Sequence, residues 1–281
     1  MGSGCDPDDH GQMTHDVRID RERSMVTKWF RSWSRGEPLR EWRALCLLAD
    51  HAPGLAPEPV GARLTGPVRA VTMSLLPGEP LGGTAMTEAQ LLALARELDR
   101  LWRCALPGRL AWEACPTLNA VAFSGLVRDL FAAVVPPRGD AVVRRAVVAA
   151  RSWLASTSSL IGPLDGHGIV FGQGDSNLAN FLWDGERVQL VDFEDSGPSD
   201  RAFELAGLVE HLSARVDSRL DSGAFAAMFD LTVAERARLV QARRVAAAFW
   251  LALLQPGSSA SKRNPPGTLR RQAEHVLALI G

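Results

Sequence analysis

The feature that most constrains this fold is a short block of strand-like sequence inside a region that otherwise follows a helical pattern. The block runs from Ile169 to Phe193, and its last two apolar runs are separated by Asp184-Gly185. An Asp-Gly pair between two strand-like runs is a strong signal for a β-hairpin. The sequence therefore predicts a single hairpin embedded in a mainly helical part of the chain.

Polar residues flank this hairpin at a defined spacing. Asp175 and Asn180 form a D-x-x-x-x-N pattern before its first strand, and Asp192 ends its second strand. A hairpin brings these positions together, so we expect the three side chains to converge. Phosphoryl transfer needs a carboxylate that orients the nucleophile and oxygen ligands for Mg²⁺. We expect Asp175 to be the catalytic group and Asn180 and Asp192 to be the metal ligands.

The segment around the hairpin is strongly acidic. Arg187 and Arg201 are its only basic residues between positions 175 and 210, against carboxylates at positions 175, 184, 186, 192, 194, 195, 200, 204 and 210. Such an excess of negative charge is stabilised by bound cations. Mg²⁺ supplies part of the positive charge, and a cationic substrate could supply more. The candidate substrate contacts are Glu194, Asp195, Glu204 and Asp221.

The rest of the chain divides into two parts, and we expect an α+β architecture. Residues 1–76 alternate strand-like runs (17–19, 25–30 and 68–76) with a helical pattern over 39–49, which a Pro/Gly-rich stretch ends. Residues 77–281 form a larger and mainly helical part. A Thr87-x-x-Gln90 capping box predicts the start of its first helix. Further helices are expected near 117–134, 140–157, 199–213, 221–229, 233–254 and 267–280, and a loop is expected over 255–267.

Composition excludes several classes of function. The formal net charge is −1, from 31 basic and 32 acidic residues, which argues against a nucleic-acid partner or a charged membrane surface. No apolar run approaches the length that a bilayer needs. The four cysteines are scattered and no export signal precedes the chain, so we expect a cytoplasmic protein. The oligomeric state stays open.

The quoted motifs resemble the aminoglycoside phosphotransferase family. The resemblance rests on Gly172-Gln173-Gly174-Asp175-x4-Asn180, on Val191-Asp192-Phe193 and on Gly197-Pro198-Ser199-Asp200 with the Leu205-Ala206 helix start. It extends upstream to about residue 11. It implies a bilobal protein-kinase-like fold, with a small β-rich N-lobe, a larger helical C-lobe and a catalytic hairpin. It also implies transfer of the γ-phosphate of ATP to a hydroxyl of a small molecule, with ATP and Mg²⁺ as cofactors.

The same resemblance implies nucleotide-binding residues in the first lobe. Lys28 is one of only two lysines in the chain and lies in an apolar run, where it resembles the family's phosphate-binding lysine. Glu41 shares a helix face with apolar residues and resembles the lysine's carboxylate partner. In the connector, Met73 would line the adenine pocket, and backbone groups near Ser74 and Leu76 would read the adenine edge.

Two features depart from the family pattern. Gln173 stands where a histidine is usual, although an amide can still hydrogen-bond to nearby backbone. The nucleotide-covering loop is represented only by Gly11-Gln12-Met13-Thr14-His15, which has one glycine.

Three functions remain open from the sequence. The first is a resistance kinase for a cationic antibiotic, such as an aminoglycoside or a basic cyclic peptide like viomycin or capreomycin. The second is a kinase of an amino alcohol, a sugar or an antibiotic precursor. The third is a nucleotide-binding pseudokinase, which the poor glycine loop and Gln173 would favour, although Lys28, Asp175, Asn180 and Asp192 are all present.

Overall fold

The computed structural model describes residues 15–104, 120–137, 139–156 and 168–281. Strands β1 (His15–Asp20) and β2 (Met25–Phe30) contain the predicted strand-like runs at 17–19 and 25–30 and pair antiparallel, with Ser24 in the left-handed region at φ 52°. Strands β3 (Pro59–Arg63) and β4 (Arg69–Ser74) complete an antiparallel sheet in the order β1-β2-β4-β3. This sheet is the core of a small N-lobe.

Helix α1 (Glu37–His51) packs against this sheet. Pro38 lies in its first turn, where proline's missing N–H has no intrahelical partner to lose. Ala44, Leu45 and Leu48 are almost fully buried on one face. The predicted helix over 39–49 is therefore confirmed.

The connector joins the two lobes by pairing with the hairpin. Strand β5 (Glu79–Pro80) pairs with β7 (Phe181–Trp183), which in turn pairs with β8 (Val188–Leu190) across the Asp184-Gly185 turn. Gly78 makes this docking possible, because a Cβ at that position would lie 2.6 Å from the Trp183 carbonyl oxygen. Its φ of 105° also favours glycine. The first lobe thus ends beside the hairpin, and we keep residue 76 as the proposed boundary.

The C-lobe is mainly helical, as predicted. Helix α2 begins at the Thr87 capping box, in which Thr87 and Gln90 cap each other's backbone amides. The helices of this lobe that follow the connector are α2 (Glu88–Trp102), α3 (Ala120–Ala133), α4 (Ala141–Ser156), α5 (Arg201–Glu210), α6 (Ser222–Ala226), α7 (Val233–Leu253), α8 (Ser259–Arg263) and α9 (Thr268–Ile280). A π-helical turn at Ser213–Asp217 follows α5. Within the described residues no helix is both long and apolar enough to cross a bilayer.

Several elements were missing from the sequence prediction, among them β5, β3, β9 and α8. Strand β3 lies in the Pro/Gly-rich stretch and contains a register shift between Pro59 and Gly61, which an edge strand tolerates. Strand β9 (Gly197–Asp200) pairs with β6 (Ile169–Gly172) although Gly and Pro are poor strand formers. Helix α8 lies inside the predicted 255–267 loop. For β9 and α8, pairing or packing with a distant segment outweighs weak local preference.

Candidate active site

The loop after β6 holds Asp175 in a fixed orientation. The Asn177 amide donates to Asp175 Oδ1 at 3.1 Å, and the Asn180 side-chain amide donates to Oδ2 at 2.9 Å. A 3₁₀ turn at Leu178–Asn180 follows, capped by the Asn177 side chain. The D-x-x-x-x-N spacing therefore closes a loop in which the asparagine orients the aspartate.

The Asp175 carboxyl has a raised pKa of about 6, first because it is buried and second because the Asp192 carboxylate is nearby. Hydrogen bonds from Asn177 and Asn180 oppose this shift. A carboxylate with a pKa near 6 is ionised at neutral pH and is a stronger proton acceptor than an ordinary aspartate.

The hairpin brings Asp192 to the same place, as predicted. The Val191 amide donates to the Asn180 carbonyl at 3.0 Å, which ties the end of the hairpin to the Asp175 loop. Asp192 itself has φ 66°, in the left-handed region that aspartate visits more readily than most residues. Such a conformation costs about 1–3 kcal/mol and is common at functional sites.

Lys28 lies at the centre of a carboxylate cluster. Its Nζ is 3.1 Å from Glu41 Oε2, 2.5 Å from Asp192 Oδ1 and 2.8 Å from Glu194 Oε2. Burial by itself would lower the pKa of Lys28, but these three carboxylates raise it above its usual value. The ammonium is therefore charged, and Glu41 is its partner as the resemblance implied.

This cluster carries more negative than positive charge. The ligand oxygens of Glu41, Asp192 and Glu194 lie within 4.8 Å of one another, with one ammonium between them. Burial raises the pKa of Glu41 to about 7, although Lys28 opposes the shift. Glu41 Oε1 is buried and has no hydrogen-bond partner among the described residues. The arrangement can therefore accommodate a further cation.

Gln173, which stands where the resemblance expects a histidine, ties two parts of the site together. Its Nε2 donates to the Val191 carbonyl at 2.6 Å, and its backbone amide donates to Glu204 Oε2 at 3.1 Å. Gln173 therefore links the Asp175 loop to the residue before Asp192. Gly172 is required beneath it, because a Cβ there would lie 2.3 Å from Glu204 Oε1.

The residues predicted to contact adenine lie at the end of β4 and just after it. Met73 is buried on β4. The Ser74 amide donates to the Glu58 carbonyl and the Leu75 amide donates to the Ser24 carbonyl. These two donors are committed to the fold, so we propose that the Ser74 carbonyl and the Leu76 backbone are the groups that would contact an adenine edge.

A cavity of about 980 Å³ opens between β1 and the C-lobe helices, beside Asp175. Seven carboxylates line it against two arginines, Arg35 and Arg263; they belong to Asp16, Asp175, Asp192, Glu194, Asp195, Glu204 and Asp217. An acidic cavity favours a cationic ligand.

The four predicted substrate carboxylates separate into different roles. Glu194 lines the cavity but pairs with Lys28 and with His15 Nδ1, at 3.1 Å. Asp195 lines it and pairs with Arg35 at 3.1 Å. Glu204 lines it and accepts from the Gln173 amide. Asp221 is not among the lining residues: its carboxylate caps α6, accepting from the Gly223 and Ala224 amides. Asp221 therefore lies outside the lining of this cavity.

Part of the acidic excess is balanced from other segments. Glu210 is fully buried and pairs with Arg243 at 2.8 Å and His275 at 2.7 Å. Asp200 caps α5 and pairs with Arg238 at 2.9 Å. Among the described carboxylates of this segment, five line the cavity, so we expect a counter-charge there: Asp175, Asp192, Glu194, Asp195 and Glu204.

Several cavity residues were not identified from the sequence. Arg35 bridges Glu37 and Asp195 and so links the two lobes. His211 has no neighbouring histidine at a metal-ligand spacing, so the sequence does not mark it as a site residue. In the sequence, the aromatic residues of α3, α5 and α7 fit the pattern expected of helices that pack into the core. No local pattern distinguishes a helical aromatic that faces a cavity from one that faces the core. The candidate phosphate-covering residues 11–14 lie outside the described residues.

The family model described as "phosphotransferase enzyme family" matches residues 14–240. No curated protein matches the chain significantly.

Solved structures share the fold at low identity. An ADP-bound aminoglycoside phosphotransferase is 15% identical, with 99% of this chain and 91% of that chain covered and a TM-score of 0.61. A spectinomycin phosphotransferase in complex with ADP and its antibiotic is 12% identical, with 95% and 86% covered and a TM-score of 0.60. A choline kinase from Streptococcus pneumoniae is 14% identical, with 95% and 89% covered and a TM-score of 0.55.

Proposed function

The chain belongs to the phosphotransferase enzyme family, and from that premise we propose that it transfers the γ-phosphate of ATP to a hydroxyl of a cationic small molecule. That it is a small-molecule phosphotransferase with an alcohol group as acceptor follows from the family and the fold. The observation that supports the finer proposal is the convergence of Asp175, Asn180, Asp192 and the Lys28–Glu41 pair beside an acidic cavity.

The residues present suit a Mg²⁺ ion. The Asn180 side chain uses its NH₂ group on Asp175, so its carbonyl oxygen remains an acceptor. Asp192 contributes Oδ1 to Lys28 and has a second oxygen to offer. Oxygen donors of this kind are those that Mg²⁺ prefers. When bound by Asn180 and Asp192, Mg²⁺ would neutralise charge on the β- and γ-phosphates.

In this mechanism each side chain has a separate task. Lys28, held by Glu41, binds the α- and β-phosphates as a fixed positive charge. Asp175 accepts a hydrogen bond from the acceptor hydroxyl. It takes the proton as the hydroxyl oxygen bonds to the γ-phosphorus and the bond from that phosphorus to the β,γ-bridging oxygen breaks, which releases ADP. Because Asn177 and Asn180 fix both carboxylate oxygens, the nucleophile is oriented before the reaction.

We propose that the acceptor is a hydroxylated cationic antibiotic and that its phosphorylation confers resistance. Aminoglycosides and basic cyclic peptides such as viomycin and capreomycin are the first molecules to test. The acidity of the cavity supports a cation. The structural neighbours named above include enzymes for spectinomycin and for choline, so an amino alcohol is the second candidate acceptor.

The test is an ADP-release assay over these antibiotics and over choline and ethanolamine, with the modified product identified by mass. Wild-type protein should phosphorylate at least one acceptor, and Asp175→Asn should reduce kcat by about 10²–10⁴-fold, the usual contribution of a positioned base. Asp192→Ala should remove Mg²⁺-dependent turnover. ATP binding without turnover on any acceptor would instead support the pseudokinase reading.

A further inference from the structure

One wall of the cavity is aromatic rather than acidic. Phe123 on α3, Phe203 on α5, and Phe249 and Trp250 on α7 line it, and all four are partly exposed. Phe123 packs against Phe203 and Phe249 with ring centroids 5.5 Å and 5.0 Å apart, and Phe249 packs against Trp250 at 5.6 Å. The wall is thus a continuous, preformed apolar surface that faces the same space as the carboxylates.

His211 adds one polar group at the edge of this wall. It follows the last residue of α5, and its ring meets Trp250 edge-on with centroids 4.8 Å apart. The Ser213 amide donates to His211 Nδ1 at 3.1 Å, and the Ser213 hydroxyl lies 2.7 Å from the same nitrogen. Since Nδ1 accepts the amide hydrogen, the proton of the neutral ring is on Nε2.

The ring stays neutral at physiological pH. Burial lowers the pKa of His211 to about 4. Nε2–H is therefore a neutral donor, and within the described residues it has no hydrogen-bond partner. His211 lines the cavity. A donor in such a place needs a partner from outside the fold, either water or a ligand.

The position of this donor is fixed relative to the catalytic loop. Ser213 Oγ also accepts from the Leu178 amide at 2.9 Å, in the 3₁₀ turn that follows Asp175. Ser213 begins the π-helical turn after α5, a geometry that often occurs at functional sites. The same serine therefore sets the histidine tautomer and holds the loop that carries Asp175.

We propose that the acceptor of this enzyme is a hydroxylated amine with an apolar face, and that His211 Nε2–H donates a hydrogen bond to an acceptor atom on it. This inference rests on the proposed function and narrows its substrate class. The carboxylates of the cavity bind the amine, and the aromatic wall contacts the apolar face. A uniformly polar polycation would bury some of its polar groups against that wall without hydrogen-bond partners, which is unfavourable.

Binding is the direct test, and it is measured by calorimetry on the full chain with Mg²⁺·ADP present, so that no turnover occurs. The probes are clindamycin and erythromycin, which are hydroxylated amines with an apolar face, and kanamycin and neomycin, which are polar throughout. We expect at least one apolar-faced amine to bind ten-fold or more tightly than kanamycin, with a negative heat-capacity change from apolar burial. Tighter binding of kanamycin, or no binding of either apolar-faced amine, would overturn the proposal.

A matched pair of variants isolates the donor. His211→Asn retains a side-chain oxygen near the Nδ1 position for the Ser213 amide but lacks the Nε2 donor, whereas His211→Gln can place an amide donor near Nε2. For the amine that binds, we expect about five- to ten-fold weaker affinity in the Asn variant and a change below about three-fold in the Gln variant. Affinity for ADP should be unchanged in both. An Asn variant with wild-type affinity for the amine would refute the role of His211.

A second variant keeps the proposal testable if His211→Asn does not fold. Phe203→Ala should weaken binding of the amine about ten-fold or more and make its heat-capacity change less negative. Wild-type affinity and heat capacity in Phe203→Ala would refute the apolar face. Failure of the proposed function is distinguishable: binding of an amine through His211, with no acceptor of either panel phosphorylated, refutes the kinase proposal alone. Phosphorylation of kanamycin but of neither amine refutes this inference alone.

Discussion

Replacing Lys28 by methionine removes the only ammonium from a cluster of three carboxylates. Lys28 and Glu41 are 4% and 0% exposed, and the side chains of Asp192 and Glu194 are 24% and 10% exposed. Breaking a buried ion pair by removing one partner costs about 3–5 kcal/mol. Since two of the carboxylates retain some contact with water, we expect a loss near the lower end, about 3 kcal/mol at pH 8.

The loss should depend on pH in a defined direction. The folded-state pKa of Glu41 is already raised to about 7, above its ordinary value, because the group is buried. A carboxyl with a raised folded pKa binds more protons in the folded state than in the unfolded state, so its contribution to stability improves as pH falls. Without Lys28 this pKa rises further. The destabilisation should therefore be largest at pH 8 and clearly smaller at pH 5.5.

Thermal unfolding at both pH values measures the effect. About 3 kcal/mol corresponds to a decrease in Tm of roughly 6–12 °C for a chain of this size. Lys262→Met is the matched control, because it removes the other lysine of the chain from an exposed position. The double variant Lys28→Met/Glu41→Gln should recover part of the lost stability. An equal Tm decrease at both pH values, or none at pH 8, would refute the buried-cluster reasoning.

Three further predictions concern the catalytic loop and the connector. The kcat of the wild type should fall about ten-fold per pH unit below pH 6, because Asp175 has a pKa of about 6 and must be ionised to accept a proton; a flat kcat profile down to pH 4.5 would exclude it as the base. Gln173→Leu removes the hydrogen bond to the Val191 carbonyl and should cost about 1–3 kcal/mol with a lower kcat, whereas Gln173→His should keep most activity; wild-type kcat and Tm in the leucine variant would contradict this. Gly78→Ala should lower the free energy of unfolding measured in urea by more than Gly83→Ala, since both have positive φ but only Gly78 meets a backbone carbonyl; equal losses would contradict it.

Local sequence was sufficient for the elements whose signals are local. The Asp184-Gly185 turn determined the hairpin, and the hairpin in turn placed Asp175, Asn180 and Asp192 together. The Thr87 capping box determined the start of α2. In each case a few neighbouring residues provide the hydrogen bonds that define the element, so their pattern is visible in the printed sequence.

The ion-pair partners of the carboxylates could not be predicted from local sequence. The excess of acidic residues over 175–210 was visible in the sequence, but the basic residues that pair with them were not. Glu210 finds Arg243 and His275 on the last helices of the chain, and Glu194 faces Lys28 rather than standing free for a substrate. A carboxylate's partner is determined by the packing of remote elements, which no spacing rule encodes.

The sequence by itself indicated the phosphotransferase family and the proposed catalytic loop, and the tertiary structure decided the shape of the cavity beside that loop. The proposed loop lies within one short segment because a single hairpin is enough to assemble it. Strand β9, the His211 tautomer and the aromatic wall depend on contacts between segments far apart in the chain. Side chains of helices look alike in sequence whether they face a core or a cavity, so only the packed fold distinguishes the two.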